Sequence, residues 1–159
     1  MKISDLRGKP IVSMMDGERV GTVKDVLIDT SKLQATGLIV GGGRGDGILR
    51  LDGVKSFGPD AITIENADGI QWATGQLHDD TGREASELLK LRVMDGSGTV
   101  AGAVHELTID LPSGNVVTLN VHKGGLFGIG ADSVDVPALD IVSIGASLVT
   151  VKQAIASQA

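Results

Sequence analysis

The chain has 159 residues, 20 of them acidic and 14 basic, for a formal net charge of −6, and it contains no cysteine. Disulfides, thiolate nucleophiles and zinc–thiolate sites are thereby excluded. The acidic balance and the singly scattered Lys and Arg residues argue against a surface that neutralises nucleic-acid phosphates, so direct nucleic-acid binding is not expected.

The first residues, Met1-Lys2-Ile3-Ser4-Asp5-Leu6-Arg7, carry charges where an export signal needs an apolar stretch. No apolar run approaches the ~20 residues of a membrane helix. The expectation is a cytoplasmic protein without membrane insertion. Ile11-Val12 predicts a short first strand ending at Asp16-Gly17, a pair suited to a tight hairpin. Val20–Ile28 predicts a second strand. Strict alternation sets Val20, Thr22, Lys24, Val26 and Ile28 on one face and Val23, Asp25 and Leu27 on the other. Asp29 with Ser31-Lys32 marks the next turn. Ala35–Val40 is a third strand and Ile48–Leu51 a fourth, joined by GGGRGDG at 41–47. Val54–Phe57 reads as a helical turn or an irregular crossover, and Ile62–Ile64 as a closing strand.

A polar stretch follows, with Gly69, Gly75 and Gly82. Its Ile70 and Trp72, the only tryptophan, are expected to pack against a unit. Ala85–Leu89 is a helix candidate, as is the tail beyond Val151. Strands then recur at Leu91–Val93, Val116–Val121, Ser133–Val136 and Leu148–Val151, with Leu139–Ile144 as a second crossover.

The recurrence is a repeat. DGERVGTVKDVLID at 16–29 matches DGSGTVAGAVHELTID at 95–110, through Asp16-Gly17 with Asp95-Gly96, Gly21 with Gly102, Val23 with Val104 and Ile28-Asp29 with Ile109-Asp110. Ser4-Asp5-Leu6 aligns with Ser86-Glu87-Leu88, Leu38 and Val40 with Leu119 and Val121, and VKSFGPDAITI (54–64) with IVSIGASLVTV (141–151). Four segments in one order establish an internal duplication. The organisation read from it is a first domain at 1–66, a connector at 67–82, a second domain at 83–153 and a tail at 154–159. Short strands with frequent turn signals predict an all-β fold, two tandem small antiparallel β-barrels packed pseudo-symmetrically.

The pattern resembles the PRC-barrel family. It does so through Leu6-Arg7-Gly8-Lys9-Pro10-Ile11-Val12, Asp16-Gly17, Gly21 to Asp29, and Val54 to Ile62 in the first copy. In the second copy the matching residues are Gly102 to Leu107, Gly124 to Gly130 and Val136-Pro137. The resemblance implies a compact barrel used for docking or assembly, with no catalytic motif. The family includes the cytoplasmic domain of the purple-bacterial reaction-centre H subunit and the C-terminal domain of a ribosome-maturation factor. This chain has neither the membrane helix of the first nor the separate N-terminal barrel of the second, so neither function is carried over.

GGGRGDG lacks the Gly-Lys-Ser/Thr ending and the following helix of a phosphate loop. Beside its counterpart KGGLFGIG at 123–130 it reads as a wide loop between strands three and four. Leu126, Phe127 and Ile129 put large apolar side chains in that second glycine-rich stretch. They are candidate contacts to a protein partner or to another copy, against the alternative of a lid on their own barrel. His78, His105 and His122 show no metal-ligand spacing. His105 and the neighbouring Glu106 are expected on opposite faces, and all three histidines on a solvated surface. His78-Asp79-Asp80 is at most a weak site for a hard cation. Asp25, Asp29, Glu106 and Asp110 recur in both copies and are expected to cap turn amides. The resulting expectation is a non-enzymatic, homo-oligomeric docking or scaffold protein that uses no cofactor. The alternatives are a ligand- or metal-binding regulatory module sited between the barrels, and an accessory factor in RNA or ribosome maturation acting through a protein partner.

Overall fold

A computed structural model describes residues 1–42, 45–72, 82–123 and 132–152. In chain order the first unit comprises α1 (Ile3–Leu6), β1 (Pro10–Ser13), β2 (Arg19–Asp29), β3 (Gln34–Gly42), β4 (Gly45–Arg50), β5 (Ser56–Phe57), β6 (Ile62–Ile64) and β7 (Ile70–Trp72). There follow β8 (Arg83–Glu84), α2 (Ala85–Leu88), β9 (Arg92–Met94), β10 (Val100–Ile109), β11 (Val116–His122), β12 (Ser133–Pro137), β13 (Ile141–Ile144) and β14 (Leu148–Val151). The fold is all-β, as the alternating Val/Ile-rich segments require.

The first sheet runs β5-β6-β1-β2-β3-β4-β7 and the second β12-β11-β10-β9-β14-β13. Read from β13, the second order repeats the first six strands of the first, and β7 has no counterpart in it. The ladders are not antiparallel throughout: β1 pairs with β6, and β9 with β14, in parallel. Each crossover that makes this possible is a 3₁₀ turn, at Leu51–Gly53 and Ala138–Asp140, followed by strand. Val54–Phe57 and Leu139–Ile144 are therefore largely extended, and the helical turns lie just before or at their starts. The equivalence reaches single hydroxyls. Ser56 Oγ lies 2.5 Å from Thr63 Oγ1, and Ser143 Oγ lies 2.6 Å from Thr150 Oγ1.

Register also corrects the repeat alignment at the first hairpin. Ser13, whose amide bonds to Glu18, occupies the place of Asp95, whose amide bonds to Thr99. Asp16-Gly17 thus lies further along its turn than Asp95-Gly96. The two positive-φ glycines that match are Gly17 (φ 72°) and Gly98 (φ 81°).

Strict alternation fails on β2. Val23 pairs with Val40 and Asp25 with Ile39, leaving Lys24 as the extra residue of a β-bulge. Beyond it the inward set becomes Val26 and Ile28, on the same side as Val23. β10 carries the same bulge at His105, between the pairs Val104–Val121 and Glu106–Asn120.

The units interlock. The residues preceding each short helix pair with the long strand of the other unit. Lys2 bridges Thr108, the Met1 ammonium donates to Ile109 O at 2.6 Å, and β8 pairs with β2 through Leu27–Glu84 and Ile28–Arg83. The turns after β2 and β10 also meet: Ala35 N donates to Gly114 O at 2.7 Å and Val116 N to Leu33 O at 2.9 Å. Ile3, Leu6, Ala85 and Leu88 plug the seam. They belong to a single buried cluster that continues from Ile11 and Val26 of one unit to Val93 and Val149 of the other. Burial of this apolar surface is the main stabilising term, at ~25 cal/mol per Å².

The glycine-rich 41–47 stretch is a tight connection rather than a wide loop, because β3 and β4 pair out to Gly42 and Gly45. Gly43 and Arg44 lie outside the described residues. β7 adds to the outer edge of β4, pairing Gly47 with Trp72. A Cβ on Gly42 would meet the Trp72 ring at 2.7 Å, and one on Gly47 would meet Ile70 Cγ2 at 2.7 Å and Trp72 Cε3 at 2.9 Å. These glycines leave room for the indole.

Candidate functional site: the cleft and the outer surfaces

The β10 bulge turns His105 and Glu106 to the same side, which strict alternation could not anticipate. Across the ladder His122 from β11 stacks on His105, with ring centroids 3.6 Å apart and planes 13° apart. Asn120 of β11 donates to Asp135 Oδ1 of β12 at 2.8 Å. With Lys2 and Ser4 from the first unit, these side chains line a polar cleft of about 380 Å³. Two histidines expected to be independent are thus a contact pair.

Most of the cleft's carboxylate capacity is already engaged. Glu106 Oε1 accepts the Leu107 amide at 3.0 Å, and Asp135 holds Asn120. Imidazole lone pairs lie in the ring plane, so parallel stacked rings do not converge on one ion. No group of three His, Cys, Asp or Glu suited to a metal occurs among the described residues. His78, Asp79 and Asp80 lie outside them.

The equivalent face of the first unit has different chemistry. Asp25 replaces Glu106, is buried, accepts the Val26 amide at 2.8 Å and pairs with Arg7 at 3.2 Å. Lys24 replaces His105 and pairs with Asp46 at 3.0 Å. Burial pushes the Glu84 carboxyl above the ordinary carboxylate range, with Asp25, Glu87 and Asp46 adding to the rise. Asp29 moves the other way: the Ser31 hydroxyl, then the Lys32 amide, hold its carboxyl below that range. Asp110 accepts from Ser113 Oγ at 2.9 Å. The four recurrent carboxylates therefore serve bulges and turns.

The outer surfaces also diverge. Leu139 is 84% exposed and Val142 is 62% exposed. By the alignment of the crossovers their counterparts are Asp52 and Lys55. Val100, also exposed, stands where the first unit has the exposed Arg19, whereas the exposed Val117 stands where the first unit has Thr36, whose hydroxyl is buried. The first unit contributes Met14 and Met15, exposed on its hairpin turn. Sequence reasoning missed Leu139 and Val142 because it read Leu139–Ile144 only as a crossover and did not compare its residues singly with those of the first copy. The signal available was their pairing with Asp52 and Lys55 in the duplicate. Leu126, Phe127 and Ile129 lie outside the described residues.

No helix among the described residues is long and apolar enough to cross a membrane. The sequence has no match among curated proteins. It does match the PRC-barrel domain over residues 1–70 and again over 80–155. Two family matches, six strands in the same order in each sheet and two equivalent bulges agree: the chain belongs to the PRC-barrel domain family and carries two copies of the domain in tandem.

Proposed function

We propose that this tandem PRC-barrel protein is a non-enzymatic docking or assembly module that works in the cytoplasm through protein–protein contacts. The observation that carries this reading is the divergence between the copies. Their interiors keep apolar side chains at most matching strand positions, while the second copy presents Leu139, Val142 and Val100 where the first presents Asp52, Lys55 and Arg19. An exposed side chain that packs nothing in its own chain contributes no folding energy. Apolar replacements gathered on one copy suit contacts with another protein. Leu126, Phe127 and Ile129 extend the apolar content of the same copy and are proposed contacts as well.

The test is a comparative affinity capture from the source cell, using the intact chain and Phe127→Asp, with melting curves confirming that both fold. The reading expects a protein recovered at stoichiometric level by the intact chain and reduced at least ~10-fold by the substitution, the scale of losing one hot-spot side chain. Equal recovery by two folded chains removes Phe127 from the contact. Recovery of no protein above background by either chain counts against docking on another protein.

A second reading, a small-ligand regulatory module, is favoured by the cleft between the units, where His105 and His122 sit beside Lys2, Asn120 and Asp135. A ligand there would shift the histidine ring resonances on addition of a metabolite extract. Unchanged resonances would dispose of this reading.

A further inference from the structure

We infer that the outer edge of β13 pairs with the same edge of a second copy of this chain. The inference rests on the docking reading above and names its surface and partner. β13 is hydrogen-bonded on one side only, to β14, among the described residues. Its sequence, Ile141-Val142-Ser143-Ile144, has no charge and no proline. Bare edges are ordinarily blunted by Lys, Pro or a covering segment, because they template pairing with another chain. The same edge in the first unit shows that protection. β5 is preceded by Lys55 and followed by Gly58-Pro59, with Asp52 on the turn before it. In the second unit these positions hold Val142, Gly145-Ala146 and Leu139. One fold thus carries a charged and an uncharged version of a single edge, the uncharged one interrupted only by a register shift at Val142.

A second copy is the occupant that fits the ends of the strand. Antiparallel self-pairing is isologous, so whatever lies before β13 in one copy faces whatever follows β13 in the other. Asp140 precedes the strand. After it, Arg83 donates Nη1 to Gly145 O at 2.6 Å and Nη2 to Ala146 O at 3.4 Å, while its Nε side faces Glu87 at 3.9 Å. Antiparallel pairing centred on β13 sets the Asp140 end of each copy beside the Gly145–Ala146 end, and so the Arg83 guanidinium, of the other. The exposed Val142 and Leu139 lie on or next to the strand that would be paired, and no like charges are opposed at its ends. Arg83 therefore serves twice: it ties the end of its own edge and presents positive charge to the partner's Asp140.

Sedimentation velocity of the full chain, run over a concentration series, tests this. The expected result is a reversible dimer at twice the 16.3 kDa chain mass. Its Kd should be on the order of 10–100 μM, as befits a small edge interface. Leu139→Asp with Val142→Lys installs the residues that the first unit carries on the same backbone, and should weaken the dimer at least tenfold. Met15→Lys, which alters an exposed apolar residue away from the edge, should leave it unchanged. Amide exchange over 141–144 in the unaltered chain should slow as concentration rises, a readout that survives even if the double variant misfolds. A chain monomeric throughout the series overturns the inference. So does a folded double variant that dimerises normally, or exchange over 141–144 that ignores concentration. If the chain is monomeric yet captures a different protein that the double variant loses, the second copy is the wrong occupant while the docking reading stands.

Discussion

Gly47 shows how a residue that signals one thing in sequence does another in space. In GGGRGDG it read as part of a wide loop, yet it clears space for Trp72 and Ile70 of β7. Gly47→Ala should therefore destabilise the protein by about 1–3 kcal/mol, the cost of forcing a methyl group into a packed contact. Because Trp72 is the only tryptophan, its emission should shift to the red as β7 lifts. Fluorescence-detected urea unfolding gives both readouts. A Glu84→Gln substitution addresses charge. The Glu84 carboxyl is pushed up, chiefly by burial and then by Asp25, Glu87 and Asp46, so its ionised form is the costly one in the folded state. Stability associated with its protonated form is complete below the ordinary carboxylate pKa and is lost as pH rises through the raised one. Glu84→Gln should accordingly raise the melting temperature at neutral pH, by a stabilisation below about 1 kcal/mol for so exposed a group. The gain should vanish near pH 4, where free carboxyls are themselves largely protonated. Melting curves at the two pH values check both arms.

At the scale of elements, most strands were readable because Val, Ile and Leu alternate between turn residues. Departures arose where the backbone left that period. A bulge adds one residue without a sequence mark, so the faces of β2 and the His105–Glu106 pair could not be phased correctly. The parallel pairs β1–β6 and β9–β14 depend on crossovers whose direction local sequence does not encode. The histidine stack joins two strands, and only register brings His105 to His122. α2 was a helix candidate in the sequence, and α1, of the same four-residue length, was missed because the match of Ser4-Asp5-Leu6 with Ser86-Glu87-Leu88 was not used to carry the helix to the first copy. The turns that lock the units together offer a sharp test. Gly114 has φ 81°, and a Cβ there would stand 2.5 Å from Ala35 O and 2.8 Å from Leu51 Cδ2. Gly114→Ala should cost several kcal/mol by combining backbone strain with a clash against the other unit. Gly98→Ala, at φ 81° in open space, should cost only about 1 kcal/mol. Chemical denaturation of the two variants separates strain from collision.

For the whole molecule, the duplication was legible in sequence and the interlock was not. The repeat led to the expectation of two barrels packed pseudo-symmetrically, each complete in itself. The structure instead exchanges Lys2 and β8 between units and closes one apolar cluster across them. Calorimetry should therefore show a single transition with equal calorimetric and van't Hoff enthalpies. Two resolved transitions would mean that the seam contributes little. The duplication also supplies an internal reference for function. Apolar strand positions largely recur in both copies, and the surface positions that differ are where the proposed contacts are placed. The central claim is that these contacts serve assembly. Native mass spectrometry of the purified chain tests it most directly. The account predicts multiples of the 16.3 kDa chain mass with no added small-molecule mass. A monomer at every concentration, carrying a bound small molecule, would contradict it.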